Sequence, residues 1–151
     1  MLLAKNRKAL HNYEVLEKIV AGIKLKGYEV KALKEGNASF EGSYIEIGDS
    51  GVVVKNLFVG RYSKQSQNPT ENEERRDRIL LLNKNEMDML RKEIAQKGKT
   101  AVPLALILEN NLVKLELAIV RGRKEYEKKQ VAKDRQIKRD LEIARKNKVW
   151  G

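Results

Sequence analysis

Apolar residues alternate with polar ones over several short stretches of this chain and recur at helical spacing over fewer, so the pattern predicts a strand-rich domain. Tyr13, Val15, Ile19 and Ala21 fall on one side of a period-two segment, with Glu14, Leu16, Lys18 and Val20 on the other. Phe40 to Ile47 and Val52 to Val59 are β-branched and aromatic runs around Gly48-Asp49-Ser50-Gly51, the signature of a hairpin. The clearest hairpin pairs Thr100–Leu108 with Leu112–Val120 across Glu109-Asn110-Asn111. There Val113, Leu115, Leu117 and Ile119 alternate with Lys114, Glu116 and Ala118, which predicts one buried and one wet face.

Helical spacing places Val30 and Leu33 in a short helix within Gly27–Gly36, with Gly36 suited to the left-handed position that ends it. Ile79 to Leu82 is a short apolar segment. After it, Asn83 and Glu86 stand as N-cap and third residue of a helix with Met87, Leu90 and Ile94 on one face, closed by Lys97-Gly98. Gly60 to Arg75 has only Tyr62 among large apolar residues and carries Glu71-Asn72-Glu73-Glu74, which predicts a long mobile loop. Five or six short strands with two interposed helices predict a mainly β fold, a closed antiparallel barrel that leaves no exposed sheet edge. No repeat of 20 to 50 residues is visible, which excludes a solenoid.

The last stretch follows other rules. Between Gly122 and Gly151 there is no glycine or proline, and Glu125/Lys129, Asp134/Lys138 and Glu142/Lys146 place acid before base at i,i+4. The apolar stripe reduces to Ile137, Leu141 and Ala144, too thin to hold a long helix against the barrel. The expectation is a basic C-terminal tail, residues 123–151, disordered alone and helical against a partner, following an RNA-binding domain of residues 1–122.

Charge sharpens that division. Of 32 Lys and Arg against 21 Asp and Glu, a net charge of +11, residues 121–151 hold 12 basic and 5 acidic, +7, leaving 20 and 16, +4, for residues 1–120. A nearly balanced body therefore carries a cationic track, the electrostatic footprint of a polyanion partner. Only 8 of 151 residues are aromatic, which favours recognition of folded RNA by shape and backbone over a base-stacking platform. Tyr13, Tyr28, Phe40, Tyr44 and Phe58 read as core or barrel rim, whereas Tyr126 and Trp150 lie in the polar tail and are free to stack on bases.

Other chemistries find little support. The absence of cysteine excludes disulfides and thiolate metal sites and suits a reducing cytoplasm. His11 is the only histidine, so no histidine metal cluster or relay can form, and neither metal nor cofactor is expected. Gly98-Lys99-Thr100 imitates the end of a phosphate-binding loop, but Glu93 stands where its first glycine belongs. No carboxylate pair has buried flanks, so a non-enzymatic protein is expected. The longest apolar run, Ala101–Leu108, contains Pro103 and is far short of the roughly 20 residues that span a bilayer, and Met1-Leu2-Leu3-Ala4 meets Lys5 too early for a signal peptide.

Several blocks in order resemble the small protein B family, partners of transfer-messenger RNA in bacterial ribosome rescue. They are Asn6-Arg7-Lys8-Ala9 with His11 and Tyr13; Ala21-Gly22-Ile23, Leu25-Lys26-Gly27 and Glu29-Val30-Lys31 with Leu33; Leu80-Leu81-Leu82-Asn83 with Glu86; Val102-Pro103-Leu104; and Arg121-Gly122-Arg123-Lys124 with Tyr126. The resemblance covers roughly residues 6 to 130. It implies an oligonucleotide-binding-like barrel with two or three peripheral helices that grips the tRNA-like domain of transfer-messenger RNA and delivers it to stalled ribosomes. It further implies a tail that becomes helical in the empty messenger channel beyond the small-subunit decoding centre, a monomeric protein, and elongation factor Tu as a companion on aminoacylated transfer-messenger RNA.

By the same resemblance Asn6, His11, Lys31, Leu81, Asn83, Lys114 and Arg121 are the transfer-messenger RNA contacts. Arg123, Lys124, Tyr126, Lys128, Lys129, Lys133, Arg135, Lys138 and Arg139 form the ribosome-binding tail. The bland alternatives are Leu81 as core, Asn83 as helix cap and Lys114 as solvated strand face. Three positions depart from the family pattern: Val20 replaces a usual glutamate, Ile79 a basic residue and Tyr126 a frequent histidine. The alternative reading is a ribosomal or general structured-RNA-binding barrel protein.

Overall fold

A computed structural model describes residues 1–64, 71–123 and 125–150, with the side chains of residues 71, 72, 125–127, 131 and 144–150 outside the description. The chain forms β1 (Leu2–Lys5), α1 (Arg7–Asn12), β2 (Tyr13–Ile23), α2 (Gly27–Lys34), β3 (Ala38–Ser39), β4 (Tyr44–Gly48), β5 (Gly51–Lys55) and β6 (Phe58–Val59). There follow α3 (Glu71–Glu74), β7 (Arg78–Leu81), α4 (Lys84–Ile94), β8 (Lys99–Glu109), β9 (Leu112–Gly122) and α5 (Glu125–Trp150). Both expected hairpins form. Asp49-Ser50 joins β4 to β5, and Asn110-Asn111, both with positive φ, turns β8 into β9. Gly36 takes φ +81 just beyond α2, as expected.

The fold is mainly β, but the sheet is not a closed barrel. Seven antiparallel strands run in the order β1-β8-β9-β2-β7-β5-β4, and β3 pairs with β6 in a separate ribbon. The sheet curls until β4 packs on β8, yet no ladder joins its two outer strands. Both are short: β1, at four residues, carries a bulge and pairs only with Ala105–Ile107, so it stops before it can cover the start of β8. Asn6 takes over there, its backbone N–H donating to the Leu104 carbonyl and its Nδ2 to the Pro103 carbonyl, 2.8 Å away.

Two bulges explain why simple alternation misassigns some faces. Between Val15 and Glu17 the register of β2 slips against β9. Val15 consequently lies opposite Val120 on the outer face, while Ile19, opposite Leu117, points into the main core. Tyr13 and Val15 therefore do not share a side with Ile19 and Ala21. A second slip at Pro103 moves β8 from Ala101 in the main core to Leu106 in the same core. The face of β9 expected to be wet is dry at one end: Ala118 and Val120 are fully buried with Ala9, Leu104 and Ala105 under α1.

Residues 61–63, at the start of the expected loop, are also less free than their polarity implies. Ser63 N–H donates to Glu35 at 2.9 Å, Asn37 Nδ2 donates to the Arg61 carbonyl, and Lys31 sits 5.1 Å over the Tyr62 ring. Residues 65–70 lie outside the described residues.

The tail, expected to be disordered alone, is carried here as a 26-residue helix. Its helical tendency comes from the absence of glycine and proline and from i,i+4 pairs, although Asp134 accepts from Gln130 at 2.8 Å and Asp140 from Gln136 at 3.0 Å. Ile137, Leu141 and Ile143 stay exposed, as a thin stripe requires. No described helix is long and apolar enough to cross a membrane.

Candidate RNA interface

The outer face of the sheet presents a mixed apolar and cationic surface at its centre. Register places Lys114 of β9 opposite Gly22 of β2, and Gly22 opposite Leu81 of β7, so Lys114 and Leu81 stand two strand spacings apart, about 10 Å. Val20 lies one step along the same face, opposite Glu116, and the Lys24 N–H donates to the Ile79 carbonyl at the other end. Val20, Ile79 and Leu81 are 45%, 49% and 52% exposed, unusual for large aliphatic side chains on adjacent strands. Gly22 matters here for space: a Cβ on it would approach the Leu81 Cβ to 3.1 Å. Leu81 is thus a surface residue laid over a bare stretch of backbone, and not core.

Beneath this face β7 is anchored by a buried ion cluster. Strand parity turns Arg78 and Leu80 inward, and Arg78 is fully buried together with Glu29 from the first turn of α2. Arg78 Nε and Nη2 both donate to Glu29 Oε2, at 2.8 and 2.6 Å, while Nη1 donates to the Leu57 and Arg76 carbonyls. Nη2 also reaches the Glu74 carbonyl at 3.1 Å. Glu29 Oε1 accepts from Arg76 and from the Lys26 N–H. Burial pushes the Glu29 pKa up, but Arg76, the Lys26 N–H and Arg78 together outweigh it and hold the carboxyl below its ordinary value. Burial and the carboxylates of Glu29 and Glu73 push the neighbouring Tyr28 hydroxyl up. Sequence reasoning missed this cluster. Its signal was a glutamate at the third position of a short helix and an arginine at an inward-facing strand position.

Asn83 follows directly and caps α4: its Oδ1 accepts from the Glu86 N–H at 2.8 Å, and Glu86 returns a bond to the Asn83 N–H at 3.1 Å. The cap uses only the oxygen, and Nδ2 has no acceptor among the described residues. Asn83→Ser, which keeps a capping oxygen, is expected to leave the melting temperature nearly unchanged but to weaken RNA binding. Asn83→Ala should in addition cost about 1 kcal/mol of stability. Thermal melts beside filter binding separate the two roles, and equal RNA affinity for Asn83→Ser and the parent chain would remove Asn83 from the interface.

The same surface can be compared with known proteins. The family described as SmpB protein matches residues 3–147. The SsrA-binding protein of Treponema denticola is 42% identical over 141 residues, 93% of this chain and 90% of that protein. That of Persephonella marina is 35% identical over 148 residues, 98% of this chain and 96% of that protein. A solved chain described as "tmRNA-SmpB: a journey to the center of the bacterial ribosome" superposes with a TM-score of 0.68 at 39% identity, covering 83% of this chain and 87% of that one. The chain belongs to the SmpB family.

Within this SmpB-family fold the remaining expected residues scatter. Asn6 is committed to structure: besides its bonds to β8 it caps α1, accepting from the Ala9 N–H at 3.2 Å. Arg121 pairs with Glu14, and Arg123 donates from Nε to the Tyr13 carbonyl at 3.0 Å while its N–H donates to Asn12, tying the start of the tail to the body. His11 lies half-buried in the last turn of α1 beside that junction. Lys31 is on α2 and engaged with Tyr62. Lys114 lies 3.8 Å from Glu109. Lys129, Lys133, Arg135, Lys138 and Arg139 are exposed along α5 and Lys128 is half-buried. Lys124 and the Tyr126 side chain lie outside the described residues. The structure thus joins Leu81 and Lys114 on one face, with Asn83 two residues beyond Leu81 at the start of α4, and His11, Arg121 and Arg123 at the root of the tail.

Proposed function

We propose that this chain is an SsrA-binding adaptor, which holds the tRNA-like domain of transfer-messenger RNA and brings it to stalled ribosomes for trans-translation. The observation that carries this is its identity of 35 to 42% to SsrA-binding proteins across more than nine-tenths of its length. The face built from Lys114, Gly22, Leu81 and Asn83 supplies the chemistry: a cation for phosphate, an apolar plate for a ribose or base, and a side-chain amide to donate. Nothing in that role needs a catalytic group or a cofactor, and among the described residues no three His, Asp or Glu stand together as metal ligands. The protein acts in the cytoplasm as a single copy, with elongation factor Tu as a companion on the aminoacylated RNA. Domain roles divide at the junction: the body binds RNA and the tail, residues 123–151, enters the empty messenger channel beyond the decoding centre. A C-terminal stretch with 12 basic residues over residues 121–151, nine of them within α5, suits a tunnel walled by RNA, and a message still filling that tunnel would exclude it.

Binding assays test the reading. The chain is expected to prefer transfer-messenger RNA strongly over an unstructured RNA of equal length, with log affinity falling against log salt at a slope of about −4 to −5 for some six phosphates. Leu81→Asp and Lys114→Ala should each weaken that binding about tenfold or more; Leu81 is exposed, and the partly exposed Lys114 gives up only a 3.8 Å surface pair with Glu109, so stability should fall by about 1 kcal/mol at most. Equal affinity for the two RNAs would favour a general structured-RNA-binding protein instead.

A further inference from the structure

At the centre of the outer face Gly22 leaves a bare stretch of backbone, flanked by Leu81 on one neighbouring strand and Lys114 on the other. A third side chain belongs to this group. Lys24 stands just beyond the end of β2, two residues after Gly22. Ala21 and Ile23 face the core, so Lys24 shares the outer side with Val20 and Gly22, and it is exposed. By strand dimensions its Cα lies about 8 Å from those of Leu81 and Lys114, so the three roots form a triangle about the glycine.

The backbone of Lys24 is held while its ammonium is not. Its N–H donates to the Ile79 carbonyl at 3.0 Å, and its carbonyl accepts from Arg76 Nη2 at 3.5 Å. Arg76 in turn pairs with the buried Glu29, which ties the root of Lys24 to the ion cluster beneath β7. The cations of β2 and β9 are all engaged: Lys18 lies 3.7 Å from Glu116, Lys114 3.8 Å from Glu109, and Arg121 pairs with Glu14. Lys24 makes no ion pair among the described residues. Across the ladder from it stands Ile79, 49% exposed and uncharged, an aliphatic surface suited to the methylene stem of a lysine whose head stays in water.

We infer that Lys24 is a further RNA-binding residue of this face, a phosphate anchor acting beside Lys114 and Leu81. Two features select that role. A fixed root with an unneutralised head suits a phosphate oxygen, which an ammonium meets as a point charge without needing a paired geometry. Two lysines about 8 Å apart beside an apolar plate also suit an RNA backbone that lays a sugar or base on Leu81 and its phosphates on the cations. The inference rests on the reading of this face as the RNA interface, and deepens it by one residue.

The test is filter binding of the full chain to transfer-messenger RNA over a range of salt, with thermal melts alongside. Lys24→Met is expected to weaken binding about three- to tenfold and to make the salt slope shallower by about 1, with no change in melting temperature. Lys24→Arg, which keeps the charge, should hold the parent slope and stay within about twofold in affinity. Lys92→Met, an equal loss of charge in the last turn of α4, should leave the slope unchanged. Three results would overturn the proposal: a parent-like slope in Lys24→Met, an equal loss in Lys24→Arg, or the same change in Lys92→Met. Leu81→Asp run in parallel separates the two levels. If it weakens binding while Lys24→Met does not, only the role of Lys24 fails; if neither does, the RNA reading of the face fails with it.

Discussion

Glu29→Gln is expected to be among the most damaging single changes in the body of this protein. It removes the only acidic partner, among the described residues, of the fully buried Arg78 guanidinium, and losing one side of such a pair costs about 3 to 5 kcal/mol. Against a typical stability of about 5 to 15 kcal/mol, that is a large share, and urea denaturation should show the midpoint falling accordingly. Glu29→Leu combined with Arg78→Met should recover part of the loss, because neither charge is then left unpaired. A midpoint shift worth less than about 1 kcal/mol for Glu29→Gln would show that water reaches the cluster. The same pair sets an acid limit. With its folded pKa depressed, Glu29 contributes stability in full above its unfolded value of about 4.3, and that contribution disappears as pH falls through the lower folded pKa. Stability measured from pH 7 down to pH 3 should therefore drop below about pH 4 in the parent chain and less in Glu29→Gln. Because Arg78 also holds the carbonyls of Leu57 and Glu74, the cluster ties α2, the strand ribbon and the approach to β7 into one support for Leu81 and Asn83.

Ending the chain before Glu125 should separate the two halves of the function. The described apolar residues of α5 face solvent, so removing the helix exposes little buried surface, and the melting temperature should move by no more than about 2 °C. Affinity for transfer-messenger RNA should also hold at low salt, since Leu81, Asn83 and Lys114 remain. Tagging of peptides on stalled ribosomes is expected to fall to background. Loss of RNA binding in parallel with tagging would refute this division. Amide exchange gives a direct view of the helix: with few contacts to the body, α5 should exchange rapidly in the free protein and become protected on a stalled ribosome.

Local patterns predicted local structure well. Asn83 and Glu86 form their reciprocal cap because both bonds are made within four residues, and Asn110-Asn111 turns the hairpin because asparagine tolerates positive φ. The charge imbalance of the last 31 residues and the thinness of their apolar stripe are likewise properties of the chain alone. So is membership of the SmpB family, which ordered blocks of sequence carry.

What the sequence could not decide is which face a residue occupies after a bulge. One extra residue at Leu16 and another near Pro103 invert the alternation, and only the partner strand shows that Val15 and Ala118 lie beneath α1. Arg78 and Glu29 are 49 residues apart, and no spacing rule announces that both are buried on one another. Asn6 joins α1 to β8 through its side-chain amide, a structural role that no local spacing announces. The seam between β4 and β8 is itself tertiary: whether a curled seven-stranded sheet closes depends on the length and register of its two outer strands, quantities set by contacts across the whole fold.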